Sequence, residues 1–127
     1  MPEKLKTCSF LVEIFKARVF VLLGPRESAN EWLEKRIGVV EILAPSNAAA
    51  AGWYVASNDS RAFYLWLESY DDTDTSRGHL AHEIMHLVFY ITNYSGLSLS
   101  NDSEEAYGYL CEHLTRQILP RLRKLNA

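Results

Sequence analysis

The sequence contains few of the residues that define disulfide-rich or redox proteins. It has two cysteines, four prolines and two methionines among 127 residues. Cys8 and Cys111 lack the C-x-x-C spacing of redox and metal motifs, which predicts reduced thiols in a cytoplasmic protein. A chain of this length can fold without disulfides or a structural metal. We therefore expect any bound metal to serve chemistry.

Long uncharged apolar runs are also missing. The N-terminal residues 1–6 are mildly basic, but the apolar run after them is interrupted by Glu13, Lys16 and Arg18. A secretory signal needs an uncharged core, and a membrane helix needs about 20 apolar residues. The sequence therefore predicts neither a secretory leader nor contact with a membrane.

The chain has no excess of basic charge. Thirteen Lys and Arg residues stand against sixteen Asp and Glu residues, which gives a formal net charge of −3. This balance argues against nucleic acid as a partner. With 48% hydrophobic and 23% charged residues, the composition is typical of one globular domain, and we predict a single domain over residues 1–127.

The first part of the chain predicts a strand followed by a helix. Residues 7–23 are rich in Phe, Val, Ile and Leu and predict a strand, which Gly24 and Pro25 end. A capping-box pattern at Ser28 predicts the start of a helix of about ten residues, and Gly38 stands where a C-terminal glycine is expected.

The middle of the chain predicts further strands. Residues 39–43 form a short apolar run that favours a strand. Residues 52–57 and 61–70 are rich in aromatic side chains and flank the turn sequence Asn-Asp-Ser at 58–60. This arrangement is typical of an antiparallel hairpin.

Two long helices are predicted after the hairpin. Residues 78–94 are apolar apart from histidines and one glutamate, which is typical of a buried helix. N-cap residues at 101–103 predict the start of a second helix that runs toward Pro120, where we expect a kink or an end. Separate strand and helix regions of this kind predict an α+β fold.

The first of these helices carries His82, Glu83 and His86 in the order H-E-x-x-H. Residues four apart share a helical face, so both imidazoles can bind one zinc ion while Glu83 reaches a water on that ion. Zinc lowers the pKa of such a water toward about 7, and a neighbouring carboxylate can accept its proton. The alternative is that both histidines are ordinary core residues. Burying three such polar groups without a metal costs on the order of several kcal/mol, which favours the metal site.

A catalytic zinc ion has three protein ligands in most enzymes, so a third is expected elsewhere. The best candidates are Glu104 and Glu105 at the start of the last helix. A ligand helix must approach the H-E-x-x-H helix closely, and Gly108 stands three residues after Glu105. This spacing favours Glu105, with Glu104 as the alternative.

With His82, His86 and Glu105 in this order, the chain resembles the gluzincin type of zincin metallopeptidases. In that family H-E-x-x-H is followed by a glutamate on a second helix, and the spacing is similar to that of the aminopeptidase branch. The stretch E-A-Y-G-Y-L at 105–110 also resembles small peptidases encoded in phage genomes.

The resemblance implies an architecture as well as an activity. It implies a small zincin-like domain, with a twisted, mostly antiparallel sheet of three to four strands packed on the H-E-x-x-H helix and a second long C-terminal helix. In that plan an edge strand beside the cleft pairs with an extended peptide substrate. Residues 61–70 are the strand that we expect in this position.

The leading hypothesis is therefore a metallopeptidase that hydrolyses a peptide bond of a peptide or protein substrate. His82, His86 and Glu105 are predicted to bind Zn²⁺, and Glu83 is predicted to be the general base. The expected location is the cytoplasm, or the host cytoplasm or virion if the gene belongs to a phage.

Two other functions compete with this hypothesis. Larger gluzincins use a second lobe to stabilise the oxyanion, and this chain is too short to contain one. A noncatalytic protein, such as a phage structural or assembly component that retains the fold and the metal site, is the main alternative. A metal-free helical interaction domain is the third. If the chain is an enzyme, the sequence offers four candidates for oxyanion stabilisation without choosing among them: Tyr90, Tyr94, Tyr109 and His113.

Overall fold

A four-stranded sheet forms the centre of the fold, with one helix on one face and two longer helices on the other. The computed structural model describes residues 4–39, 41–56 and 58–127. The elements in chain order are β1 (Lys6–Val12), β2 (Ala17–Leu23), α1 (Arg26–Ile37), β3 (Ala49–Val55), β4 (Arg61–Leu67), α2 (Asp74–Tyr94) and α3 (Glu104–Asn126). The expected α+β class is confirmed.

The strands are arranged in the order β1-β2-β4-β3. β1 pairs antiparallel with β2, and β3 pairs antiparallel with β4. β2 and β4 are parallel, because the chain between them crosses over through α1. The sheet is therefore mixed, and β1 and β3 are its two edges.

The single strand predicted over residues 7–23 is wrong, because two strands occupy this range. A short 3₁₀ turn at Glu13–Phe15 separates β1 from β2. Lys16 closes that turn with a left-handed backbone, at a φ of 51°. No glycine or proline marks this reversal, so the sequence lacks the usual turn signal.

Two features around α1 differ from the prediction: the residue at which the helix begins and the segment that follows it. The helix begins at Arg26, directly after Pro25, and ends as predicted at Gly38 in a left-handed conformation. The strand predicted over 39–43 is wrong for the described residues 39 and 41–43, and Val40 lies outside the described residues. Leu43 is buried in a loop, where its backbone N–H donates to Oδ1 of Asn30 over 2.8 Å.

The predicted antiparallel hairpin of β3 and β4 is confirmed, with Gly52 opposite Tyr64 in its register. Ser57, in the predicted first arm, lies outside the described residues. The expectation that residues 61–70 form an edge strand is wrong, because β4 pairs with β2 on one side and with β3 on the other. The free edge beside α2 belongs to β3.

Two apolar layers hold the helices on the sheet. The larger layer joins one sheet face to α2 and α3, and the smaller layer joins the other face to α1. Pro120 lies inside α3, which continues to Asn126, so the helix does not end there. Ile118 and Leu122 are both fully buried on either side of Pro120, and their packing keeps this part of the chain on the core.

The start of α2 is fixed by caps and an ion pair. Oγ1 of Thr73 accepts a hydrogen bond from the backbone N–H of Ser76, which caps the helix. The Nε–H group of Arg123 in α3 donates to both carboxylate oxygens of Asp72, at 2.9 and 3.1 Å. The last turn of α3 is thereby joined to the loop that leads into α2. In the described part of the chain, no helix combines the length and hydropathy needed to cross a membrane.

Candidate metal centre

His82, Glu83 and His86 bring their ligand atoms together in the first half of α2. These atoms all lie within 4.8 Å of one another, so the group can hold a metal ion. The Nε2 atoms of the two histidines are 3.2 Å apart. The i and i+4 spacing of the histidines thus produces the convergence that the sequence predicts.

Helical periodicity explains how the group is presented. Ile84 and Leu87 are buried in the core between α2 and the sheet. His82, two residues before Ile84, is exposed, whereas His86 is half-buried. Glu83 is only 5% exposed. The group therefore combines two accessible imidazoles with one buried carboxylate.

Burial controls the proton affinity of Glu83. Removal from water raises the pKa of its carboxyl group above the ordinary value. His82, His86 and His79 act in the opposite direction, because positive charge on an imidazole favours the carboxylate. The net effect is a higher pKa, which makes Glu83 a stronger proton acceptor than an exposed glutamate.

The donor set fits zinc in type and spacing. Imidazole nitrogen and carboxylate oxygen are both common zinc ligands. Two ligands at about 2.0 to 2.1 Å from one tetrahedral ion are roughly 3.3 Å apart. The observed separation of 3.2 Å between Nε2 of His82 and Nε2 of His86 is close to that value.

Two members of the metal group, His82 and Glu83, line a cleft of about 400 Å³. One wall is formed by α2, where His79, His82 and Glu83 line the cleft together with Gly78. The other wall is the segment 46–49, which leads into the edge strand β3. His82 and Glu83 therefore face this cleft, beside the start of the edge strand β3.

The two candidate third ligands lie in the first turn of α3. Glu104 and Glu105 are both exposed, and neither belongs to the metal group found among the described residues. A β-carbon on Gly108 would meet no described atom within 4 Å. Gly108 therefore does not mark a close helix contact. It gives no reason to prefer Glu105 over Glu104 as the third ligand.

An aromatic contact joins this part of α3 to α2. The rings of Phe89 and Tyr107 meet edge to face, with their centroids 5.5 Å apart. The hydroxyl of Tyr107 donates to the backbone carbonyl of Leu97 over 3.1 Å. These contacts hold the start of α3 against the second half of α2.

The four candidates for oxyanion stabilisation occupy different places. The ring of Tyr90 stacks on that of His86, with centroids 6.0 Å apart. Tyr94 packs edge to face on Phe63 at the far end of α2. Tyr109 and His113 line a separate groove between α3 and residues 10–15. Tyr90 is thus the candidate that contacts a predicted ligand.

Gly52 and Tyr64 form a close pair that was not predicted from the sequence. A β-carbon on Gly52 would come within 2.6 Å of Cζ of Tyr64, so the tyrosine ring fills the space that a side chain would need. Burial raises the pKa of the Tyr64 phenol, and Tyr90 acts in the same direction. The glycine within the predicted strand was the sequence signal for this pair, because a glycine in a strand often marks the close approach of another group.

Comparisons of the chain with protein-family models, with curated proteins and with solved structures find no match.

Proposed function

We propose that the protein is a zinc-dependent metallopeptidase of the zincin type. The observation that carries this proposal is the group of His82, Glu83 and His86, with ligand atoms within 4.8 Å of one another. The H-E-x-x-H pattern supports the same function, because it supplies two metal ligands and a proton acceptor on one helix. The cleft beside β3 gives a substrate access to that group.

In this proposal Nε2 of His82 and Nε2 of His86 bind the ion, and Glu105 or Glu104 completes the ligand set. Bound zinc supplies a Lewis acid that acidifies water and polarises a peptide carbonyl. The carboxylate of Glu83 accepts the proton that the attacking water loses, and then donates it to the amine nitrogen that leaves. Burial of Glu83 favours this role because it raises the proton affinity of the carboxylate.

Tyr90 is our candidate for stabilising the oxyanion. Its ring stacks on His86, one turn further along α2, so its hydroxyl belongs to the same helix as the predicted ligands. A phenol O–H directed at developing negative charge can replace the donor that larger gluzincins take from a second lobe. This assignment gives a short chain a means of stabilising the transition state.

The edge strand β3 is our candidate for binding the peptide backbone. β3 pairs with β4 on one side only, so its other edge presents N–H and C=O groups to a further strand. An extended peptide can bind there by strand addition. β3 replaces β4 in this role, since both edges of β4 are occupied.

Substitution of the general base tests the proposal. Glu83→Gln keeps the size of the side chain but removes its ability to accept a proton. We expect this variant to retain zinc, measured by elemental analysis, and to lose hydrolysis of a peptide library. Glu112→Gln, which changes an exposed glutamate on α3, is the matched control and should retain activity.

Two outcomes would contradict the proposal in different ways. Equal turnover by zinc-loaded wild type and Glu83→Gln would remove Glu83 as the general base. A zinc-loaded wild-type protein that hydrolyses no peptide would favour the noncatalytic alternative, in which the same residues hold a metal without chemistry.

A further inference from the structure

Arg61 at the start of β4 is held between two aromatic rings. Its Cζ atom lies 3.8 Å from the ring centroid of Trp53 in β3. The same atom lies 4.5 Å from the ring centroid of Tyr94, the last residue of α2. The guanidinium group is therefore fixed at the place where β3, β4 and the end of α2 meet.

The hydrogen-bonding capacity of Arg61 is not used within the described residues. Its Nε atom is buried and has no hydrogen-bond partner. The ion pairs found in the described part of the chain involve other arginines: Arg26, Arg77, Arg116 and Arg123. Arg61 thus presents a positive charge, partly removed from water, without a carboxylate beside it.

The two aromatic contacts do not account for this arrangement by themselves. Rings stack on the faces of a guanidinium group, whereas its five N–H donors point outward in the plane of the group. Trp53 and Tyr94 therefore orient the donors without satisfying them. A buried donor that stays unpaired is unfavourable, because it has lost its hydrogen bonds to water, so an acceptor from a ligand would stabilise this arrangement.

The position of Arg61 relates it to the metal group. Tyr94 follows His86 by eight residues in α2, which corresponds to about 12 Å along the helix axis. Trp53 belongs to the edge strand that we propose as the peptide-binding strand. An extended peptide advances about 3.3 Å per residue, so 12 Å corresponds to roughly three to four residues.

We propose that Arg61 binds a carboxylate of the peptide substrate, three to four residues from the bond that is cleaved. This inference rests on the proposed peptidase function. The carboxylate is the expected ligand because it matches the planar fork of a guanidinium group in shape and in charge. It can come from an Asp or Glu side chain or from the end of the peptide chain.

Selectivity of hydrolysis gives the first test. Peptides with Glu at the third or fourth residue from the cleaved bond are compared with peptides that have Gln there. We expect wild type to favour the Glu peptides by about tenfold in kcat/KM, the size of one charged hydrogen bond. Arg61→Met should abolish the preference. Arg61→Lys keeps the charge without the planar fork and should retain only part of it.

Arg36→Met is the matched control, because Arg36 also stacks on a tryptophan, Trp32, at 3.5 Å. Trp32 packs against the smaller core on the other sheet face. Arg36→Met should keep the full preference for Glu. Thermal unfolding of each variant shows whether a change in kcat/KM reflects substrate binding or loss of the fold.

NMR spectroscopy of the full chain provides a test that does not need hydrolysis. The N–H signal of Arg61 Nε is assigned by its disappearance in Arg61→Lys. We expect this signal to shift saturably with a blocked peptide that contains Glu, or with an unblocked peptide that has a free terminal carboxylate. It should not shift with a blocked peptide that contains Gln. The peptide that produces the shift identifies the carboxylate as a Glu side chain or as the end of the peptide chain.

The outcomes separate this inference from the proposed function. Hydrolysis that depends on Glu83, combined with no preference for Glu and no shift of the Arg61 signal, would overturn the carboxylate site and leave the peptidase intact. A saturable shift without any hydrolysis would support the carboxylate site and count against the peptidase.

Discussion

The ring of Tyr90 lies nearly parallel to that of His86, with an interplanar angle of 15° and 6.0 Å between the ring centroids. The phenol that we propose as the oxyanion donor is thereby carried by the same helix as the predicted metal ligands. In the proposed mechanism, a small chain has both the metal and an oxyanion donor on one element.

Tyr90→Phe removes the hydroxyl and keeps the stacked ring. Loss of one oxyanion donor lowers kcat by about 10²- to 10³-fold in other hydrolases, and we expect a decrease of that order here. The affinity for zinc should not change. Tyr109→Phe, in the separate groove between α3 and residues 10–15, is the control and should retain activity. Equal kcat for the two variants would contradict the assignment.

Zinc should stabilise the folded protein through the histidines of the metal group. At a free zinc concentration about 100-fold above its Kd, the free energy of unfolding should rise by about 2.7 kcal/mol. The increase should disappear in His86→Ala and upon addition of a chelator. His79→Ala should retain the increase, because His79 lies outside the metal group of the described residues. Urea unfolding with and without zinc measures the difference.

The identity of the third ligand can be found by comparing Glu105→Gln with Glu104→Gln. We take Glu105, the ligand predicted from the sequence, as the third ligand of the proposed site and expect Glu105→Gln to weaken zinc binding by about tenfold or more. Glu104→Gln should bind zinc as wild type does. Competition with a chromophoric chelator measures both affinities, and the reverse order would transfer the role to Glu104.

Gly52→Ala should destabilise the hairpin of β3 and β4. The added methyl group would meet the ring of Tyr64, which is 6% exposed and has little room to move. Overpacking of this kind costs about 1 to 3 kcal/mol. Gly108→Ala is the control, since no described atom lies within 4 Å of its added carbon. It should raise the free energy of unfolding by up to about 1 kcal/mol, because alanine favours helix.

The ion pair of Asp72 and Arg123 should make stability depend on pH in the acidic range. The hydrogen bond from Arg123, and then that from Tyr70, lowers the pKa of Asp72 below its ordinary value. A lowered pKa in the folded state means that the contribution is present above the unfolded value of about 3.9 and is lost as the pH falls through the folded value.

Urea unfolding between about pH 6 and about pH 2.5 tests this dependence. The free energy of unfolding should fall more steeply for wild type than for Asp72→Asn, in which the titrating group is absent. Asp74→Asn is the control, because the Asp74 side chain is fully exposed. Parallel curves for wild type and Asp72→Asn would show that the ion pair does not contribute.

Local signals in the sequence predicted much of the helical part of the fold. The helix around His82 and His86, its buried face and the convergence of the two histidines all depend on a period of 3.6 residues, which is visible in the chain. The end of α1 at Gly38 and the hairpin of β3 and β4 also depend on neighbouring residues alone.

The rest depended on contacts between residues that are distant in sequence. The central place of β4 follows from its parallel pairing with β2, which no local pattern indicates. Leu43 is apolar because it is buried beside Asn30, and it does not belong to a strand. The choice between Glu104 and Glu105 depends on how α3 is placed against α2, so helical spacing alone was not sufficient.

The parallel pair at the centre of the sheet has a consequence for assembly. Val21 and Leu65 are partners in this pair although they lie 44 positions apart in the sequence (65 − 21). Each hairpin, in contrast, joins strands that are close in the chain. Closing the longer loop costs more chain entropy than closing either hairpin, which makes the central pair the slower contact to form. α2 packs on both β3 and β4. A fragment that lacks the hairpin of β3 and β4 would therefore lack the sheet surface on which the helix with the candidate metal group rests.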